Sequence, residues 1–192
     1  MSAARRILLA LALATAFLVS AGEALARGGD YVIEGGSPEA QGQVRAALEA
    51  SRFDWGVVRE RITIRITRCG CAGARPGEIV LDEDVLTRSP FGPRYAWGIV
   101  QHEYAHQVDW FVLRPRERRA LGRRLGTRAW CYEVSGLAHD DYGCERFATL
   151  LAWAYWRSPA NVQRPSWERW RMAGPRAVRT LVAGLVRPAR LG

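Results

Sequence analysis

Three residues in one short segment have the types and spacing of a hydrolytic metal site. His102, Glu103 and His106 form the pattern His-Glu-x-x-His. On an α-helix, side chains four positions apart lie one above the other, so both imidazoles can bind one ion, and imidazole nitrogen suits zinc. The glutamate lies about 100° round the helix, within reach of a water molecule that zinc would acidify. The pattern therefore predicts zinc bound by His102 and His106, with Glu103 as general base.

The residues around this pattern favour a helix. Pro93 stands near a plausible start and Pro115 marks the end. The two middle positions of the pattern, Tyr104 and Ala105, are uncharged, and apolar Val108 follows them. The alternative is an ordinary helix that carries two unrelated histidines.

A catalytic zinc site needs a third protein ligand and keeps one position open for water. His139, Asp141 and Glu145 are the downstream candidates. We favour Glu145, because it opens a helix that must pack against the first one. Ala148, one turn later, is small enough to let the two helices approach closely. His139 and Asp141 stay as alternatives.

A His-Glu-x-x-His helix followed by a helical Glu-x-x-Ala resembles the gluzincin branch of the zincin-like metallopeptidases, over roughly residues 60–157. The resemblance implies a zinc-dependent peptidase with a strand pair before the active helix. Residues 61–82 would supply that pair, and its second strand would be the substrate-binding edge. Cys144 departs from the asparagine that often precedes the glutamate in that branch. Asp109 and Val112 stand where a metzincin has glycine and a third ligand, which excludes that class.

Two further roles stay open at the level of the sequence. Asp109 can accept the second N–H of His106 as an outer-shell partner of the metal, or it can be an ordinary solvated acid. A peptidase also needs a hydrogen-bond donor for the oxyanion that forms when water attacks a carbonyl. The candidate donors are Tyr132, His139, Tyr142 and Arg146.

The N-terminal residues have the pattern of an export signal. Two arginines precede an almost unbroken apolar run over 7–19, and 24–26 has the small-x-small form of a cleavage site. The run is shorter than the roughly 20 residues that a membrane-spanning helix needs. We therefore expect a signal peptide over 1–26 and a single zincin-like domain over 27–192, secreted or held in the cell envelope. Retention of the segment as an anchor is the alternative.

The charge of the chain indicates which classes of partner it can bind. All 28 basic side chains are arginine and the formal net charge is +9. The arginines are spread along the chain, so we expect no specific nucleic-acid binding. A basic surface favours anionic polymers such as an acidic envelope. We expect a monomer that acts on a peptide or protein substrate, with no transmembrane segment after removal of the signal.

The cysteines suggest an oxidising compartment. Cys69, Cys71, Cys131 and Cys144 give an even count, which in an exported protein implies two disulfides. Because Cys69 and Cys71 are too close for an easy mutual bridge, we expect each to pair with one of the later two. The simplest local alternative is Cys131–Cys144, which would leave a strained Cys69–Cys71 pair or two free thiols. Cys-x-Cys spacing is tighter than that of the usual structural zinc site, which leaves structural zinc as a minor alternative.

The order of elements predicts an α+β fold in one small zincin-like domain, with a short mixed or antiparallel sheet packed on the active helix and on a second ligand helix. The predicted elements after the glycine-rich lead-in are a helix over 37–51, strands over 61–67 and 78–82, the long active helix, a helix over 143–156 capped by Asp141, and helices over 165–172 and 175–186.

Two other functions compete with the peptidase. One is a catalytically inactive zincin-fold binding protein that acts at the cell envelope through its basic surface. Glu103 disfavours that function, because a binding module has no need of the carboxylate. The other is a disulfide-held structural protein in which His-Glu-x-x-His is accidental.

Overall fold

The computed structural model describes residues 29–92, 94–131, 133–165 and 174–189. Within these ranges the fold is α+β, in agreement with the predicted class. The strands are β1 (Tyr31–Gly35), β2 (Ile62–Thr67), β3 (Ala72–Arg75) and β4 (Glu78–Asp82). The helices are α1 (Pro38–Ala50), α2 (Glu83–Thr87), α3 (Tyr95–Val112), α4 (Pro115–Leu125), α5 (Gly143–Tyr155) and α6 (Pro175–Ala189). The predicted signal peptide and all but the first residue of the helix expected over 165–172 lie outside the described residues.

The strands form one mixed sheet in the order β1-β2-β4-β3. β2 is parallel to both of its neighbours, β1 and β4, and β3 runs antiparallel to β4. Ile62, Ile64 and Ile66 of β2 are buried, which confirms the alternation read from the sequence. Strands with one buried face need helices to cover it, and α3 packs against β3 and β4 while α1 and α5 pack against α3.

The edge of the sheet differs from the prediction. Strand 78–82 pairs with β2 on one side and β3 on the other, so it is an interior strand and was wrongly expected to be the edge. The edge next to α3 is β3, a strand that was not predicted. Its sequence Ala-Gly-Ala-Arg lacks the β-branched residues that identify a strand, and pairing with β4 decides its conformation.

Helix α3 is fixed at both ends of the His-Glu-x-x-His pattern by buried glutamines. The Nε2 of Gln101 donates to the carbonyl of Ala47 in α1 at 2.6 Å. The Nε2 of Gln107 donates to the carbonyl of Arg75 at 3.0 Å, and its Oε1 accepts from the amide of Gly77 at 2.9 Å. These bonds tie α3 to α1 and to the β3–β4 turn.

The predicted cap of the second ligand helix is wrong. Helix α5 begins at Gly143 after Tyr142, which makes no side-chain capping bond. The carboxylate of Asp141 instead accepts a hydrogen bond from Arg146 at 2.8 Å. An ion pair with a buried guanidinium outweighs a capping bond to a backbone amide.

The disulfide pairing also differs from the expectation. Cys69 bonds to Cys71 and Cys131 bonds to Cys144, with Cα separations of 5.1 and 5.3 Å. The short bridge forms because Gly70 has a φ of 62°, a conformation open to glycine, which folds the chain back on itself. All four cysteines are paired in these two bridges.

The two disulfides fit an extracellular protein. In the ranges that the structure covers, no helix combines the length and apolar character needed to cross a bilayer.

Candidate metal centre

The structure brings His102, His106 and Glu145 together between α3 and α5. The Oε2 of Glu145 lies 3.1 Å from the Nε2 of His102 and 3.3 Å from the Nε2 of His106. One ligand atom from each of the three residues falls within 4.8 Å of the others. All three side chains are buried. The predicted ligand set therefore converges on one point, although its occupation by zinc stays a prediction.

The spacing of these atoms fits a tetrahedral zinc ion. Zinc binds imidazole nitrogen and carboxylate oxygen at about 2.0–2.2 Å, so adjacent ligand atoms of a tetrahedron lie about 3.3–3.6 Å apart. The two nitrogen–oxygen distances, 3.1 and 3.3 Å, lie at or slightly below the short end of that range. Zinc between these atoms would accept the imidazole lone pairs and offset the charge of the carboxylate, which would stabilise the cluster. The chemistry of the donor set thus suits zinc.

The outer hydrogen bonds of His102 favour metal binding through Nε2. The hydroxyl of Thr149 donates to the Oε1 of Gln163 at 3.2 Å, so it can accept from the Nδ1–H of His102 at 3.3 Å. With zinc bound, a proton on Nδ1 would leave the Nε2 lone pair for the ion, in place of the hydrogen bond between Nε2 and Glu145. The sequence analysis missed Thr149, although its position four residues after Glu145 places it on the same helix face.

One of the two predicted roles of Asp109 was to accept a hydrogen bond from the ring of His106, and the structure does not show that bond. Its carboxylate accepts from the Nε of Arg118 at 2.8 Å and from the Nε1 of Trp130 at about 3.0 Å. The Nδ1 of His106 is buried and has no hydrogen-bond partner among the described residues. Asp109 is 1% exposed, so it is not the solvated acid of the other role either. It anchors α4 and the following loop to the active helix.

Glu103 is buried and interacts electrostatically with His106 and Glu145. Burial raises its pKa to about 7, an effect that the charge of Glu145 reinforces and His106 opposes. Burial also acts to raise the pKa of Glu145, but hydrogen bonds from His102 and His106 outweigh it and hold that pKa well below its usual range. Two neighbouring carboxyls therefore differ in proton affinity, as a general base and a metal ligand should.

The alternative third ligands have different surroundings. The Nε2 of His139 lies 3.2 Å from the Oε2 of Glu145, and its side chain is 67% exposed. Asp141 is engaged by Arg146. Of the four candidate oxyanion donors, Tyr132 lies outside the described residues. The hydroxyl of Tyr142 is 2.7 Å from the carbonyl of Val134, to which it donates.

The start of α5 is held against the preceding loop. The amides of Gly143 and Cys144 donate to the carbonyls of Ala129 and Trp130, and Cys144 is also in the disulfide with Cys131. A Cβ on Gly143 would lie 2.6 Å from the Trp130 ring. Glycine is therefore required where the loop meets the helix that carries Glu145.

Gly143→Ala should destabilise the fold by about 1–3 kcal/mol, because the added methyl group clashes with the ring of Trp130. Urea denaturation of the purified protein measures the effect. Gly42→Ala in α1 is the matched control: its Cβ would have no neighbour within 4 Å, so we expect stabilisation of roughly 0.5–1 kcal/mol. Equal changes in both variants would contradict the predicted clash.

Thr149→Val should weaken zinc binding by roughly 10–100-fold, because it removes the hydrogen bond that fixes the tautomer and orientation of His102. Competition with a chromophoric chelator measures the affinity. Thr180→Val, on the exposed surface of α6, removes a hydroxyl that donates to the carbonyl of Arg176 and should leave the affinity unchanged. Unchanged zinc affinity in Thr149→Val would show that the hydrogen bond does not support the site.

Comparisons with protein-family models, with curated proteins and with solved structures each find no match to this chain.

Proposed function

We propose that this protein is an exported zinc metallopeptidase of the gluzincin type. One observation carries the proposal: a buried His-Glu-x-x-His helix meets a glutamate from a second helix at nitrogen–oxygen distances of 3.1 and 3.3 Å. If the two histidines were unrelated, we would not expect both to be buried against the same carboxylate oxygen. The predicted export signal and the two disulfides support action outside the cell.

The roles of the residues follow from their surroundings. His102, His106 and Glu145 would hold the ion, and zinc bound there would polarise a water molecule and the substrate carbonyl. Glu103 would take the proton of the attacking water and pass it to the nitrogen of the leaving amine. A carboxylate with a pKa near 7 is suited to both halves of that transfer.

The edge strand β3 supports a peptide as the substrate. In the described sheet β3 pairs only with β4, so its other edge offers backbone N–H and C=O groups to an extended chain. β3 packs on α3, and Gln107, next to His106, holds the β3–β4 turn. A peptide that paired with β3 would run alongside the helix that carries the two histidines.

The proposal is tested with the mature form of the protein, purified under oxidising conditions. We expect one zinc ion per chain by elemental analysis, cleavage of a mixed peptide pool, loss of cleavage with a chelator and recovery on adding zinc. One zinc ion per chain without any cleavage would instead favour the catalytically inactive binding protein. No bound zinc would contradict both functions.

A further inference from the structure

We propose that His139 is a further catalytic residue, which donates a hydrogen bond to the substrate carbonyl oxygen as that oxygen gains negative charge, and that Arg146 is its positioning residue. The inference rests on the proposed peptidase function. Its starting observation is the position of the His139 Nε2, which lies 3.2 Å from the Glu145 Oε2. Three imidazoles thus approach the same carboxylate oxygen, but only two of them are in the pattern on α3.

His139 differs from the other two histidines in exposure. Its side chain is 67% exposed, whereas those of His102 and His106 are 8% and 7% exposed. The ring therefore lies on the solvent side of the cluster. A substrate carbonyl must reach the ion from that side, because the opposite side is filled by α3 and α5.

The donor distances exclude His139 from the metal-ligand set. A fourth tetrahedral ligand would have to lie about 3.3–3.6 Å from each of the other three ligand atoms. Around α3, the atoms that lie within 4.8 Å of one another come from His102, His106 and Glu145, and His139 is not part of that set. An ion held by these three residues would keep its fourth position for water and substrate, and the Nε2 of His139 lies 3.2 Å from the Oε2 of one of the three, Glu145.

Arg146 fixes the turn that carries His139. Its guanidinium is buried and each of its nitrogens donates: Nε to the carbonyl of Asp140 at 2.7 Å, a terminal nitrogen to the carboxylate of Asp141 at 2.8 Å, and the other to the carbonyl of Leu125 at 2.6 Å. Arg146 follows Glu145 directly on α5. The same helix therefore positions a metal ligand and the turn over 139–141, which makes the site preorganised.

The other candidate donors are less suitable. Tyr142 is 4% exposed and its hydroxyl donates to the carbonyl of Val134. Arg146 itself is 5% exposed, with its nitrogens directed at the turn. Of the candidates within the described residues, only His139 combines an accessible N–H group with a place beside the cluster.

The test compares His139→Ala and His139→Gln with the wild-type protein. We expect zinc affinity within about threefold of wild type and an unchanged visible spectrum of the cobalt-substituted protein. We expect His139→Ala to lower kcat on a peptide substrate by roughly 10²–10³-fold with little change in KM. His139→Gln retains an N–H donor and should recover part of that loss.

The positioning role has its own variants. Arg146→Gln and Asp141→Ala should lower kcat by roughly 10–10²-fold while zinc affinity and KM stay near wild type, because a displaced turn misplaces the donor. Asp141→Ala removes one contact of the buried guanidinium and serves if Arg146→Gln fails to fold. Arg128→Gln is the matched control. It removes the same charge from an exposed position in the loop between α4 and α5, and it should leave kcat unchanged.

The outcomes separate this inference from the proposed function. Active wild type with the expected His139 and Arg146 losses supports it. Active wild type with full kcat in His139→Ala overturns it and leaves the peptidase standing. A loss of zinc affinity of tenfold or more in His139→Ala, with an altered cobalt spectrum, makes His139 a ligand and also overturns it. A zinc-loaded wild type that cleaves nothing overturns the peptidase and the role of His139 together.

Discussion

Glu103→Gln is expected to keep one zinc ion per chain and to lower kcat on a peptide substrate by roughly 10²–10⁴-fold, the range for removal of a general acid–base group. Glutamine has nearly the shape of glutamate, so the buried site should keep its packing. It cannot accept a proton at neutral pH, so neither deprotonation of the water nor protonation of the leaving amine is assisted. Steady-state kinetics together with zinc analysis measure the effect.

The matched control for this variant is Glu49→Gln, the same substitution at an exposed position of α1, which should leave kcat unchanged. A loss of zinc in Glu103→Gln would show that the side chain supports the ligands instead of acting on the proton. An unchanged kcat would contradict the general-base role and favour a site that binds metal without catalysis.

The pairing of His102 and His106 on one helix could be predicted from the sequence because it depends on local geometry alone. Residues four apart share a helix face whatever the fold around them. The strand β2 was predictable for the same reason, since Ile62, Ile64 and Ile66 alternate with polar residues. Both patterns are statements about one element, and the structure preserves them.

Features that depend on contacts between distant segments could not be predicted in this way. β3 is a strand only because β4 pairs with it, and its four residues carry no pattern of their own. The bridge between Cys69 and Cys71 depends on the left-handed conformation of Gly70 and on the carboxylate of Asp82, which accepts from the amides of Cys69 and Gly70. Spacing along the chain does not show either condition.

The surroundings of the site could be predicted only in part. Glu145 was chosen among three candidates because a glutamate at the start of a packed helix can face the first helix, and the structure places it there. The predicted hydrogen bond of Asp109 to His106 was wrong. The sequence does not show that Arg118 and Trp130, 9 and 21 residues away, would reach the Asp109 carboxylate. The existence of helix α5 was predicted from the sequence, whereas the hydrogen bonds around Asp109 required the tertiary fold.

Glu145→Gln is expected to weaken zinc binding by more than about 10²-fold and to abolish peptide cleavage at stoichiometric zinc. Loss of an outer-shell partner alone costs 10–100-fold, so loss of the negatively charged ligand itself should cost more. Glutamine keeps the volume of the buried side chain but removes the charge that offsets the ion. The Nε2 atoms of both histidines would then face a neutral amide.

Zinc-linked stability gives a measurement of this loss that does not depend on a known substrate. An ion that binds only the folded state stabilises it by about 2.7 kcal/mol at a free concentration 100 times its Kd. Zinc should therefore raise the Tm of the wild-type protein and leave that of Glu145→Gln almost unchanged. Asp141→Asn, which alters the rejected alternative ligand, should keep the wild-type response. The reverse result, with zinc stabilisation lost in Asp141→Asn and kept in Glu145→Gln, would move the third ligand to the 139–141 turn, because two buried imidazoles alone do not complete a catalytic zinc site.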